Sequence, residues 1–174
     1  MTDPSGEAMP TAALSHRTAT GPVASDIAGD PDHPVLAQAR SRVVDRSVIT
    51  VTPDEAWSVT SDHAAVLIDV RTAEERKFVG HVPQSVHVPW LLGTAMQTNP
   101  RFLRELEARV PKHGVALLIC RSGQRSLAAA AAATKAGFRH IYAVLEGFEG
   151  DLDQQRQRGQ RNGWRFRGLP WIQD

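Results

Sequence analysis

The sequence predicts an α/β domain built on a mostly parallel five-stranded sheet flanked by helices, and three observations carry that prediction. Five short β-branched or apolar runs recur between residues 48 and 145. Helix-start and helix-stop residues stand between them. Two of the runs, Ala64–Val70 and Val115–Cys120, are nearly unbroken apolar stretches, as strands covered on both faces require.

The elements follow in chain order. Val48–Thr52 is β-branched and reads as the first strand. Thr52-Pro-Asp-Glu55 opens a helix, with Thr as N-cap, Pro at the first helical position and Glu three residues on. Ala64–Val70 is the second strand; Thr72-Ala-Glu-Glu75 caps a short helix that Gly80 ends. Glu74 and Glu75 are read as helix-capping residues. Ser85–Trp90 is the third strand, stopped near Pro89. Asn99-Pro100 starts a helix with Phe102, Leu103, Leu106 and Val110 on one face. Val115–Cys120 is the fourth strand, Ser126–Ala136 an alanine-rich helix closed by Gly137, and Ile141–Leu145 the fifth strand. Strands alternating with helices imply a parallel sheet, whose ligands bind at the carboxyl ends of the strands.

The chain has 174 residues, 41% hydrophobic and 22% charged, with a formal charge of +1. No strong field points to nucleic acid or an anionic membrane. The longest apolar runs fall far short of the roughly 18–20 residues of a spanning helix. The N-terminus lacks the basic-then-apolar pattern of a secretory signal. Cys120, the single cysteine, excludes an internal disulfide and multi-cysteine metal sites. A cytoplasmic protein with reduced thiol chemistry is the simplest expectation.

Residues 1–34 carry Asp3, Glu7, Asp26, Asp30 and Asp32 against Arg17, hold five of the eleven prolines and contain no aromatic residue. They cannot bury enough apolar surface to offset the entropy of ordering, so the expectation is a disordered tail. Residues 35–47 read as a linker or short helix, 48–150 as the domain, and 151–174 as a basic and aromatic strap. In that strap Trp164, Phe166, Leu169 and Trp171 anchor the chain while Arg156, Arg158, Arg161, Arg165 and Arg167 solvate it. A single-stranded nucleic-acid surface is the disfavoured alternative, because the overall charge is near neutral.

Cys120-Arg-Ser-Gly-Gln-Arg-Ser126 leaves the fourth strand and enters the alanine-rich helix. A thiol there sits above a turn whose N–H groups, with the helix N-terminus behind them, converge on one small volume. Gly123 lets the backbone curl, and Arg121 and Arg125 add positive charge at the rim. All three effects favour thiolate over thiol, which makes Cys120 a candidate nucleophile beside an anion site. Asp69 and Arg71, two apart on a strand, share a face; they read as supporting residues that order the active loop, or as a structural ion pair. Glu146 is expected to face solvent. His81 and His87 do not make a metal site, and His81 reads as a structural hydrogen-bonder.

Over residues 48–150 the chain resembles a single-domain rhodanese of the thiosulfate sulfurtransferase type. The likeness rests on Leu67-Ile-Asp-Val-Arg71, on Gly80-His-Val-Pro83 with Val86-His-Val-Pro89, on Cys120–Ser126, and on Leu145-Glu-Gly-Phe148. Gly163-Trp164 and Gly168-Leu-Pro-Trp171 are similar to the closing segment of such domains. The resemblance implies a three-layer rhodanese-like fold and a Cys120 thiolate that takes the outer sulfur of thiosulfate as a persulfide. Cyanide, a small thiol or a protein cysteine then accepts that sulfur. The loop residues Arg121, Ser122, Gly123, Gln124, Arg125 and Ser126 would bind donor and persulfide, with no metal or organic cofactor. Two arginines suit dianionic thiosulfate better than monoanionic mercaptopyruvate.

Two positions depart from the family pattern. Gln84 stands where glycine is usual, so the turn must avoid positive φ or strain Gln84, and the stretch from Arg76 to Val79 is slightly long. Two rivals use the same layout. Cysteine phosphatases need one residue more between cysteine and arginine than the four enclosed by Cys120 and Arg125. Rhodanese-like domains that serve as regulatory interaction modules typically lack the cysteine that this chain keeps, whereas a sulfur relay to a partner protein would use Cys120 and stands as the alternative.

Overall fold

The computed structural model describes residues 28–44 and 48–173. The expectation for residues 1–27 lies outside the described residues. Residues 28–34, read as part of the tail, instead lie on the domain. Val115 N–H donates to Ala28 O at 3.0 Å and Asp30 N–H to Ala64 O at 2.8 Å. Main-chain hydrogen bonding holds this piece, which a reading of its apolar content could not register. Helix α1 (Pro34–Ala39) follows, and strand β1 (Val43–Val44) pairs antiparallel with β2 (Val48–Val51).

The elements then run α2 (Pro53–Ser61), β3 (Val66–Asp69), α3 (Ala73–Val79), β4 (Val86–His87), β5 (Leu91–Leu92), β6 (Gln97–Thr98), α4 (Phe102–Glu107), β7 (Val115–Ile119), α5 (Gln124–Lys135) and β8 (His140–Val144). Strand order in the main sheet is β1-β2-β8-β7-β3-β4. The five strands β2, β8, β7, β3 and β4 are all parallel, as expected, and β1 adds a short antiparallel edge. The β5–β6 hairpin was not anticipated; two-residue strands leave too short an alternation to read.

Capping explains where the helices begin. Thr52 and Glu55 form a reciprocal capping box on α2, and Thr72 and Glu75 form another on α3. Strand residues alternate strictly between two cores. In β7, Ala116 and Leu118 pack with Phe102 and Leu106 of α4 and with Ala129, Ala130 and Ala133 of α5. Val115, Leu117 and Ile119 face the opposite core, with Leu36 of α1 and Ala56 and Val59 of α2. The sheet is therefore the middle of three layers.

The connections leave β3 and β7 in opposite directions: β3 leads outward through α3 to β4, whereas β7 leads through α5 back to β8. A crevice opens at the carboxyl ends of strands where such a reversal occurs. Both Asp69-Val-Arg71 and the cysteine loop emerge there.

Asp69 and Arg71 form a fully buried ion pair, with Arg71 Nη2 2.7 Å and Nε 3.0 Å from the carboxylate. Arg71 Nη2 also donates to Gly80 O at 2.8 Å, and the guanidinium lies over the Phe148 ring, 4.1 Å from its centre. Arg76, at 3.2 Å, is a second cation on Asp69 and also grips Ser85 through its hydroxyl and carbonyl. Burial pushes the Asp69 carboxyl upward, but the hydrogen bonds and charge of Arg71, with Arg76, outweigh it and hold it below the usual carboxylate range. The grip of Arg76 on Ser85 also accounts for Gln84, which does sit in the left-handed region at φ +62°. The strain foreseen there is present, and the flanking bonds over-determine it.

The C-terminal segment is an irregular strap. Trp164 is fully buried, meets Trp57 edge-on at 6.1 Å and donates Nε1–H to Pro170 O at 2.9 Å. Leu169 packs on the same core, Trp171 meets Phe148 edge-on, and Ile172 bridges His81. Phe166, expected as an anchor, is 53% exposed and anchors nothing. Its neighbours Arg165 and Arg167 are instead held by Trp171 and Glu146. Among the described residues, no helix is long and apolar enough to cross a membrane.

Two outcomes follow from this packing. Trp164→Ala is expected to cost about 3–5 kcal/mol of unfolding free energy, read from the urea midpoint. Asp69→Asn leaves Arg71 as an uncompensated buried charge and is expected to cost about 3–5 kcal/mol. Because the folded Asp69 carboxyl titrates below its unfolded value of about 3.9, its stabilisation is complete above that pH and is lost as pH falls through the lower folded value. Melting curves from about pH 5 to pH 2 are expected to fall steeply for wild type and less steeply for Asp69→Asn.

Candidate active site

Alternation along β7 places Cys120, the residue after its end, on the α4–α5 side of the sheet, where the side chain is 1% exposed. Gly123 then turns the chain at φ +93° and serves as N-cap of α5. This turn starts the helix at Gln124, two residues earlier than the sequence suggests, because a left-handed residue closes the loop in three residues. Gly123 N–H donates to Cys120 Sγ at 3.1 Å. Among the described residues it is the one main-chain N–H that reaches the sulfur. Gln124, Arg125 and Ser126 form the first helical turn, whose N–H groups have no intrahelical acceptor.

Ser126 is buried at the third helical position. Its hydroxyl donates to Gly123 O at 2.8 Å and stands 3.7 Å from Cys120 Sγ, with Val144 O at 3.4 Å. Ser122 is half-buried and Gln124 is exposed.

A second loop holds the first from behind. Phe148 N–H donates to Cys120 O at 2.7 Å, and Glu149 N–H donates to Arg121 O at 2.9 Å. The approach is so close that a Cβ on Gly147 would lie 2.5 Å from Cys120 O and 2.6 Å from Ser122 N. Gly147, at φ +68°, is therefore doubly required. Glu146, expected to face solvent, is half-buried: it accepts from Gly163 N–H at 3.0 Å and pairs with Arg167 at 2.7 Å. Burial works to raise its carboxyl, but Arg167 and the Gly163 N–H prevail and hold it low. The strap thus returns over this loop and supplies those partners.

Asp69 and Arg71 pair with each other rather than with the loop. They act on it at one remove, since the Phe148 ring under Arg71 belongs to the residue that bonds Cys120 O. His87 Nε2–H donates to Arg71 O at 2.8 Å, and the His81 main chain bonds Ile172.

The rim arginines depart most from the sequence reading, in which both stood free to hold a dianion. Arg125 Nη1 and Nη2 each lie 2.6 Å from the Glu75 carboxylate. Arg121 Nε faces the same carboxylate at 3.7 Å, without a hydrogen bond. Glu75 caps α3 as expected, but it is also the counter-ion of both loop arginines, a role the sequence reading missed. The only local signal was Thr72-x-x-Glu75, which explains the cap and says nothing of Arg125. Burial works to raise the Glu75 carboxyl, and the Arg125 hydrogen bonds, the Thr72 N–H and both arginine charges hold it below its usual range. Burial likewise opposes the charge on Arg125, but Glu75, with a smaller contribution from Cys120, raises it above the ordinary arginine value.

A family model for the rhodanese-like domain matches residues 52–153. An uncharacterised protein of Rickettsia conorii is 34% identical over 131 residues, 72% of this chain and 98% of its own. Thiosulfate sulfurtransferase 16 of Arabidopsis thaliana is 28% identical over 65% of this chain and 88% of its own length. The crystal structure of Rv0390 from M. tuberculosis superposes with a TM-score of 0.65 at 43% identity, covering 72% of this chain and 97% of that one. The family match spans the cysteine loop, both strands that flank the crevice and the Gly147-Phe148 turn, and on that ground the chain belongs to the rhodanese-like domain family.

Proposed function

We propose that this protein is a sulfurtransferase that moves a sulfane sulfur from thiosulfate or a related donor to a nucleophilic acceptor through a Cys120 persulfide. The observation that carries the reading is the Gly123 N–H on Cys120 Sγ at 3.1 Å, at the mouth of a helix whose first-turn N–H groups are free of main-chain acceptors. Such donors stabilise negative charge on a small group without reorganising.

In the first half-reaction the Cys120 thiolate attacks the outer sulfur of the donor. The new Sγ–S bond forms as the donor's S–S bond breaks, and the electron pair leaves on the remaining fragment, sulfite when thiosulfate is the donor. The persulfide sulfur then lies among the N–H groups from Arg121 to Ser126. The Ser126 hydroxyl, which donates to Gly123 O at rest, needs only a rotation to donate to sulfur instead. In the second half-reaction cyanide, a small thiol or a protein cysteine attacks the outer sulfur, and Cys120 departs as thiolate. The chemistry requires no metal or organic cofactor. A reducing cytoplasm, which keeps a lone thiol free, is the compartment that suits it.

The test is mass spectrometry of the intact protein after incubation with thiosulfate and, separately, with cysteine persulfide. One added sulfur atom on Cys120, removed by cyanide with release of thiocyanate, is the expected result. Cys120→Ser is expected to lose all loading while keeping its melting temperature within a few degrees. Absence of added sulfur from both donors overturns the reading.

A further inference from the structure

A small pocket in the C-terminal segment carries charge of both signs that no protein partner neutralises. Its lining is Glu149, Arg158, Gly159, Gln160, Arg165 and Trp171, and its volume is about 250 Å³. We propose that this pocket binds the head group of an α-amino acid, with Glu149 on the ammonium and Arg158 and Arg165 on the carboxylate. The site is separate from the Cys120 chemistry and stands whether or not the sulfurtransferase reading holds.

Glu149 supplies the negative side. Its Oε1 is shut from solvent and has no hydrogen-bond partner. The other acids of the segment are satisfied: Asp151 Oδ2 accepts from Asn162 Nδ2 at 2.9 Å, and Asp153 Oδ1 accepts the Gln157 N–H at 2.7 Å. A carboxylate oxygen removed from water without a donor is costly, and a ligand ammonium brings the donor together with the opposite charge.

The two arginines supply the positive side. Arg158 fastens Nη1 to Gly150 O at 2.5 Å and keeps its remaining N–H groups. The Arg165 guanidinium lies over the Trp171 ring, 4.4 Å from its centre; the ring takes one face and leaves the edge N–H groups for a carboxylate. Among the described residues, neither arginine has an ion-pair partner, and nor does Glu149. Main-chain bonds keep these opposite charges apart. Gly159 N–H donates to Glu149 O at 2.8 Å and Arg165 N–H donates to Phe148 O at 3.1 Å, so both walls are fastened to the Phe148–Glu149 stretch.

Charge and size together choose the ligand. A dicarboxylate meets repulsion from Glu149, a diamine meets it from the arginines, and each leaves one sign unmatched. An ammonium and a carboxylate on one carbon satisfy both. The volume falls below the roughly 300–1,000 Å³ of sites for drug-sized ligands, which suits a molecule as small as a single amino acid. This head group occurs on free amino acids and on aminothiols such as cysteine. The pocket borders the cysteine loop, because the Glu149 and Gly150 N–H groups both donate to Arg121 O, at 2.9 Å and 3.2 Å. An aminothiol seated here is a candidate sulfur acceptor, whereas a free amino acid only occupies the pocket.

The test is an NMR titration of the isotope-labelled full chain with L-serine, which carries the head group without a thiol. Saturable shifts at Gly159, Gln160 and the Trp171 indole are expected, with a Kd on the order of 1 mM for so small a ligand. Ethanolamine lacks the carboxylate and 3-hydroxypropionate lacks the ammonium; each is expected to bind about tenfold more weakly than L-serine. Glu149→Gln and Arg165→Gln are each expected to weaken L-serine about tenfold, with melting temperatures within a few degrees of wild type.

Equal binding of the three ligands, or no saturable binding of L-serine, overturns the assignment, and so does undiminished binding in both variants. The ligand comparison uses wild type alone and holds whatever the stability of the variants. A second measurement separates the two sources. With Cys120 already loaded with sulfur, a rise in the apparent KM for L-cysteine on adding L-serine identifies an aminothiol acceptor as the occupant; an unchanged KM identifies a free amino acid. Both results keep the site. Failure of Cys120 to load overturns the sulfurtransferase reading and leaves the titration result untouched.

Discussion

The hydrogen bond from Phe148 N–H to Cys120 O, at 2.7 Å, joins the cysteine loop to the loop that holds it from behind. Cys120 ends a central strand, and its carbonyl has lost the ladder partner that strand residues enjoy. Phe148 restores that partner from a loop after the neighbouring strand β8, and Gly147 makes the approach possible because any Cβ there would collide with the Cys120 carbonyl. With the Cys120 peptide held from behind, the following turn at Gly123 has a fixed origin, and its N–H can aim at Sγ. The precision of the site therefore comes from backbone bonds between loops on rigid strands, the arrangement in which main-chain donors hold position best.

The buried Asp69–Arg71 pair supports this arrangement from below. Two ions removed from water are costly unless every lone pair and proton finds a partner. Here the pair places hydrogen bonds on Gly80 and Arg76 and its guanidinium face on Phe148, leaving Arg71 Nη1 without a hydrogen-bond partner, and it ties β3, the end of α3 and the loop behind the cysteine into one unit. The strap completes the unit through Trp164, whose N–H donates to Gly147 O and whose ring fills the core on that side. Residues distant in the chain are thus energetically joined to a thiol that none of them touches.

Charge at the rim follows a different logic from charge in the core. Asp69 is an anion with two cations around it, whereas Glu75 is an anion placed against the two arginines of the cysteine loop. Both carboxyls are held in the ionised form by their partners. The charge around the cysteine loop is therefore set by a helix-capping residue as well as by the loop's own arginines.

Local chemistry was legible in the sequence. Alternating apolar runs placed the five parallel strands, Thr-x-x-Glu signatures placed the starts of α2 and α3, and the strand–glycine–helix passage through Cys120, Gly123 and Ser126 marked the candidate nucleophile and its turn. Each of these depends on neighbours within a few residues. Other features were not legible there: the packing of residues 28–34, the β5–β6 hairpin, the helix start at Gln124, the exposure of Phe166 and the pairing of Glu75 with Arg125. The last of these joins residues 50 apart in the chain, and only the opposed connections at the β3–β7 crevice bring the two helix starts together. Sequence determined which side chains and turns were available. Tertiary structure decided which charges meet, because a charged side chain carries no local record of its partner and pairs with whatever the fold sets beside it.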